Sequence, residues 1–455
     1  MTEHFGRLAA RLVLPLLAGL VGLGLLSSAV AANVQITAQS VEMPDPMSVV
    51  FRLRATTPGG LQEAAVNYRV LNPDGNVGGS VRPTVTSGGT QDLSAMLLTN
   101  NGERYIPVGS VFVYSWELKD ADGVVHTTDE EQFVFLDGRF QWQSRTEGDV
   151  TVYWYGPTDA QAIQALQATA DSIADNEELL QVEMPYPVRV VVYPNESAGE
   201  LAQRPRGGSF DSQVVTGGAR VAPDLLHIYD SLGGFVDVTR HEAGHLVTKV
   251  AGDGPFTTIP SWLDEGVAVY SQTSPGSGYL GALEAGIASD STLRLRSLAG
   301  PVNEASQVNL FYGQSWAVAA FMIDTYGEEA FAELFATVKS GEPIDEALLA
   351  VYGVDQDGLY NDWRESVGLA RIDFSLVPNA TTVPRAEGTR APLGIPTSVS
   401  GGAVPAPAPT TDAGATSTTS VGTSNTTTAV IIVVVTLLVA GGLGGVGLRL
   451  LRKKA

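Results

Sequence analysis

The sequence predicts an α+β chain: an N-terminal antiparallel β-sandwich, then a mostly helical domain with a small sheet, then a disordered stalk and one transmembrane helix. Three observations predict it. From 33 to about 148, short apolar stretches alternate with turn signals. From 158 onward, apolar residues recur at helical spacing. From 378 the composition turns to Pro, Thr, Ser, Ala and Gly, and 429–448 then runs without a charge.

Taken in order, residues 1–31 have the parts of a signal peptide. Arg7 and Arg11 precede an apolar run at 12–26, and Ala29-Val30-Ala31 supplies small residues for cleavage. An uncleaved anchor is the alternative. Residues 32–148 hold strand candidates at 48–54, 65–70 and 111–118. Pro58-Gly59-Gly60, Asn72-Pro73-Asp74-Gly75 and Ser87-Gly88-Gly89 stand between them as turns. This spacing resembles immunoglobulin or fibronectin type III sandwiches in architecture alone, which implies a spacer or binding module. A hairpin at the junction, 141–155, leads into the domain 149–377, which opens with a helix at 158–180. Strands are expected at 188–193, 213–216 and 225–229, and helices at 236–250, 261–270, 314–326, 328–339, 344–352 and 356–367. Ser261 is the expected N-cap of its helix, and Gly341, Gly353 and Gly368 stand where C-terminal caps belong. Residues 378–428 cannot bury enough apolar surface to fold. Residues 429–448 are long enough to span a bilayer, and Arg449, Arg452, Lys453 and Lys454 place 449–455 in the cytoplasm and the body outside it.

The net charge of −22 argues against nucleic acid and against an anionic membrane surface as partners. There is no Cys, so any metal must be held by His and carboxylates.

The segment 236–250 contains His241-Glu242-Ala243-Gly244-His245. With five histidines in 455 residues, a chance His-Glu-x-x-His is expected well under ~1% of the time. On a helix, His241 and His245 share a face one turn apart and can reach one metal ion. Glu242 lies about 100° further round, within reach of a water on that metal. Val236, Leu246, Val247 and Val250 form the apolar stripe, and Ala243 and Gly244 leave room for a neighbour. A catalytic zinc usually takes three protein ligands. His126 and His227 share no segment with the motif.

The motif, followed by Trp262-Leu263-Asp264-Glu265-Gly266-Val267-Ala268, resembles the gluzincin metallopeptidases, in the branch of small thermolysin-like, peptidase MA-like domains. The likeness spans roughly 158–367. It implies a zincin-like fold, a Zn2+ cofactor, a peptide or protein substrate and Glu265 as third ligand. Asp264 is the local competitor, expected to point elsewhere. The likeness also implies Glu242 as general base, Tyr312 as an oxyanion stabiliser or else a packing residue, and substrate binding by the strand before the motif, where Gly217-Gly218 permits close approach. The thermolysin-like pattern has an acid four residues after the ligand Glu, buttressing a His. Here that position is Val269, so the buttress must come from elsewhere. No Gly-x-Met-x-Asn-type segment is present to bind a free amine, which favours an endopeptidase. Together these readings give a membrane-anchored, extracytoplasmic zinc peptidase. The competing reading is a catalytically silent surface protein that keeps the scaffold and binds a partner through its sandwich. An intramembrane protease is excluded, because 236–250 carries Asp, Arg, Glu and Lys.

Overall fold

The computed structural model describes residues 34–101, 104–203, 217–229, 234–300, 302 and 304–375. The expected signal peptide, the strand at 213–216, the stalk, the transmembrane helix and the basic tail lie outside them. Among the described residues, no helix is long and apolar enough to cross a membrane. Those up to Arg371 belong to one compact unit.

Two antiparallel sheets open the fold. One has the order β1 (Gln35–Asp45), β2 (Ser48–Thr56), β5 (Thr90–Leu98). The other runs β10 (Glu131–Val134), β8 (Val111–Asp120), β3 (Leu61–Leu71), β4 (Val77–Val81), with β9 (Val125–Thr127) also on β8. The short hairpin β6 (Asn100–Asn101) and β7 (Arg104–Tyr105) leads into β8. The chain crosses between the two sheets from β2 to β3 and again from β4 to β5. Alternation explains the packing. In β5, Gln91, Leu93, Ala95 and Leu97 are buried and their neighbours exposed. They meet Val49, Phe51 and Leu53 of β2 and Val66, Phe112 and Trp116 of the facing sheet in one core.

The third sheet has the order β11 (Trp142–Glu147), β12 (Val150–Tyr155), β13 (Val188–Tyr193), β15 (Leu225–Tyr229), β14 (Gly218–Ala222). β12, β13 and β15 are parallel, and the two edges are antiparallel. β11 lies N-terminal of the expected boundary at 148/149, yet pairs with β12 as part of this sheet. β13 reads as an unbroken apolar run because both its faces are covered. Val188, Val190 and Val192 face the helices, packing with Ala162, Leu166, Ala243 and Leu246. Val191 and Tyr193 face the sandwich and share its core with Leu225, Tyr229, Trp142 and Tyr155.

The sandwich is therefore no free module. Its residues 104–110 are tied to the third sheet and to the turn after β13: Arg189 Nη1 donates to Gly109 O at 2.7 Å, and Tyr105 Oη donates to Ala202 O at 3.0 Å. A Cβ at Gly109 (φ +94°) would stand 2.8 Å from Leu225 and Val191. His227, expected as a strand residue, is fully buried there, with Nε2 2.7 Å from Val108 O. Burial lowers its pKa to about 4, against the pull of that carbonyl. The unfolded chain takes up a proton near pH 6.5 and the folded one resists it. Stability from neutral His227 is thus full above pH 6.5 and is lost as pH falls towards 4, by about 3 kcal/mol. Denaturant titrations at pH 7 and pH 4.5 should show a smaller acid loss in His227→Gln than in wild type. Equal losses would mean that the histidine is not held neutral.

The helices follow: α1 (Asp159–Leu180), α2 (Phe235–Gly252), α3 (Ser261–Tyr270), α4 (Ser277–Ala288), α5 (Val308–Tyr326), α6 (Glu328–Lys339), α7 (Ile344–Tyr352) and α8 (Gln356–Ser366). Three details differ from expectation. Pro260 is the N-cap of α3 and Ser261 its first residue, with no side-chain cap. The proline ring sets the entry, so the serine hydroxyl is not used there. α5 begins at Val308 rather than at 314. α4 has no counterpart in the sequence reading. Gly341, Gly353 and Gly368 all take positive φ beyond helix ends.

Candidate metal centre

α2 buries Phe235, Ala243, Leu246 and Val247, while Val236 and Val250 are only half-buried. That packing fixes the helix and aims His241, Glu242 and His245 away from the core. Residues without side chains then bring the neighbours in. A Cβ at Gly244 would lie 2.9 Å from Ser271 Oγ, so α3 rests directly on the motif. A Cβ at Gly266 would lie 2.5 Å from Ser315 O, which brings α5 onto α3. Behind them, Arg240 Nε donates to Ser271 O (2.6 Å) and its Nη2 pairs with Asp175. Ser172 Oγ donates to Arg240 O (2.7 Å), and Asn176 Nδ2 donates to Ser271 Oγ (2.8 Å). This buried network ties α1, α2 and α3 into one frame.

His241, His245 and Glu265 converge, with ligand atoms all within 4.8 Å of one another. His241 Nε2 is 3.2 Å and His245 Nε2 3.5 Å from Glu265 Oε2. With arms of about 2.0–2.2 Å, a zinc tetrahedron has edges of about 3.3–3.6 Å. Glu265 Oε2 is buried, and despite its closeness to both rings it makes no well-aligned hydrogen bond. The distances suit coordination of a shared cation better than hydrogen bonding, and two imidazoles with a carboxylate are a zinc donor set. The residues fit the metal.

Asp264 does not point elsewhere, as expected of it; it supplies the missing buttress. Its Oδ1 lies 2.9 Å from His245 Nδ1 and accepts from Thr248 Oγ1 at 2.5 Å, while Lys249 Nζ sits 2.9 Å from Oδ2. With Nδ1–H given to Asp264, His245 keeps its Nε2 lone pair for a metal. His241 Nδ1 lies 3.2 Å from Gln272 Nε2; a half-turn of that amide would bring its oxygen to accept from Nδ1–H and leave the His241 Nε2 lone pair for a metal. Asp264 is held well below the usual carboxylate range: its burial, which pushes the other way, is outweighed by His245 and Lys249. Glu265 is likewise buried, and the two histidines hold it near 2. Asp264→Asn should weaken zinc binding by about 10–100-fold, read by titration against a chelator. Unchanged affinity would remove Asp264 from the centre.

Glu242 is not among the converging ligands. Burial raises its pKa, with His241 and His245 opposing. Its Oε2 accepts from Arg220 N, on the edge strand β14, at 3.1 Å. Tyr312, on α5, has its ring 5.9 Å from that of His241. Its phenol is held well above the usual range, by the Glu265 charge first and then by burial. Sequence reasoning missed Tyr279. It stacks on Tyr312 at 5.1 Å, and burial together with the charges of Glu265 and Glu242 raises it to about 12. A Cβ at Gly313 would lie 2.4 Å from Tyr279 O, so the glycine after Tyr312 is what lets α4 approach.

Residues 226–368 match the family model described as Peptidase MA superfamily. The match covers about a third of the chain, and starts later than the 158 expected. Comparison with curated protein sequences gives no match. Among solved structures, the chain is similar to yeast LTA4 hydrolase in complex with bestatin, at 12% identity and a TM-score of 0.31, over 72% of this chain and 64% of that one. It is also similar to OgpA from Akkermansia muciniphila, at 13% identity and a TM-score of 0.17, over 22% of this chain and 28% of that one. The chain thus spans under two thirds of the length of either. The peptidase MA region contains the motif helix, α3 and both tyrosines, whereas β14 lies before it.

Proposed function

We propose that the protein is a zinc-dependent peptidase that hydrolyses internal peptide bonds, with its body held outside the cytoplasm by a C-terminal membrane helix. The observation that carries this reading is the convergence of His241, His245 and Glu265 beside a half-buried carboxylate, Glu242, that is not one of the three. Bound zinc supplies an activated water and a polarised substrate carbonyl. Glu242, its pKa raised by burial, takes the proton of the attacking water and passes it to the leaving amine. Tyr312 donates to the oxyanion, and Tyr279 holds that ring in place by stacking. The edge strand β14 offers backbone groups to an extended substrate. The membrane assignment is supported by the uncharged run 429–448 with its basic tail, and by the signal-like start. The lack of an amine-binding segment supports endopeptidase action. The test is hydrolysis of an internally quenched peptide library by zinc-loaded wild type and by Glu242→Gln. Turnover confined to wild type is expected; no turnover by either would end the peptidase reading.

A further inference from the structure

The guanidinium of Arg220 stands apart from most other described cations. Arg189 is tied to Asp224, Arg240 to Asp175, Lys249 to Asp264 and Arg296 to three aspartates. Arg220 makes no ion pair and no side-chain hydrogen bond among the described residues, and its Nε is buried without a partner. It sits on β14, an edge of the third sheet, and its backbone N–H is given to Glu242 Oε2 at 3.1 Å.

The register says which way the side chain goes. Arg220 lies opposite Leu226, and Leu226 belongs to the core shared with Ala243 and Leu246 of the motif helix. Cross-strand neighbours share a face. Arg220 therefore projects on the face that carries the metal centre. Gly218, two residues earlier on that face, would place a Cβ 2.7 Å from Glu242 Cγ. Asp224 pairs through Oδ2 with Arg189, which bonds the sandwich from the other face of the sheet, and it forms no ion pair with Arg220. Burial raises the Tyr186 phenol, and the Arg220 charge opposes that rise.

A partly desolvated guanidinium with an unused Nε–H is costly alone and well suited to a planar, two-point pair with a carboxylate. In a chain of net charge −22, it is also what lets an acidic group come close to Glu242 and Glu265. We infer that Arg220 is a specificity residue that receives a substrate carboxylate close to the scissile bond. That carboxylate is either an acidic side chain or the C-terminus of the peptide. The inference rests on the peptidase reading of the centre.

The test separates the two. Full-length Glu242→Gln protein, which should bind without turnover, is titrated with fluorescent alanine-based hexapeptides holding a central Phe. One set carries Glu or Gln at each remaining position, and the other ends in a free acid or an amide. The expected result is about tenfold tighter binding of one acidic member over its neutral twin. The preference should be lost in Arg220→Met, weakened in Arg220→Lys, which keeps the charge but not the two-point fork, and turned towards the neutral twin in Arg220→Glu. A Glu/Gln effect assigns the side chain, and an acid/amide effect assigns the C-terminus. Equal Glu/Gln and acid/amide ratios with Arg220 and with Arg220→Met overturn the inference, as does the absence of binding by any peptide. Hydrolysis of the same peptides by the wild type reports on the peptidase reading by itself.

Discussion

Glu242→Gln should lower kcat by about 10²–10⁴ while leaving zinc content, thermal stability and peptide binding near wild type, since a positioned general base contributes about that much. The split follows from the geometry. His241, His245 and Glu265 make up the converging set, and Glu242 is outside it. Glutamine keeps the oxygen that accepts from Arg220 N and fills the same space, but it cannot carry a proton. Because burial raises the carboxyl of Glu242, the amide also relieves a desolvation cost, so the variant should be no less stable. Kinetics on a quenched peptide beside zinc analysis and a melting curve would check it. A fall in kcat accompanied by loss of zinc would place Glu242 among the ligands.

The second large effect concerns the sandwich. Removal of residues 34–139 should leave a second domain that does not fold, though every residue of the metal centre is still present. Trp142, Tyr155, Tyr193 and Tyr229 turn their rings into the shared core. Buried aromatic side chains hide about 150–250 Å² each, so four hide roughly 800 Å², worth about 20 kcal/mol at about 25 cal/mol per Å². If only half of that cover comes from the sandwich, the loss of about 10 kcal/mol matches a typical total stability of about 5–15 kcal/mol. Arg189 and His227 would also lose Gly109 O and Val108 O while remaining near the sheet. Circular dichroism and solubility of the truncated chain measure this. A soluble, cooperatively melting product would show that the sandwich is a separable module.

Why some elements could be read from the chain and others could not has a physical basis. β13 was readable because burial on both faces demands an unbroken apolar run. The motif was readable because one helical turn brings two imidazoles to one face. α4 was not, for it holds Gly278, Gly281 and Gly286 and shows little contrast between faces. Two of those glycines serve tertiary approach: Gly286 meets Leu310 and Gly278 meets Asn309. The start of α5 was hidden in the same way, since Asn309 and Gly313 are poor helix formers that packing overrides. Asp264 was misjudged because an imidazole has two nitrogens. One residue of rotation along α3 turns Glu265 towards the Nε2 atoms and Asp264 towards Nδ1 of His245. Adjacent carboxylates therefore serve opposite edges of one ring, which a search for a single ligand overlooks. Tyr279 belongs to the centre only through the contact at Gly313, which no local pattern announces.

The three-ligand centre is tested most directly by the zinc content, by mass spectrometry, of the purified wild-type protein beside Glu265→Ala. About one zinc per wild-type chain, with most of it lost in the variant, is the expected result. A wild type that stays empty when zinc is supplied, or a Glu265→Ala protein that holds as much zinc as the wild type, would contradict it.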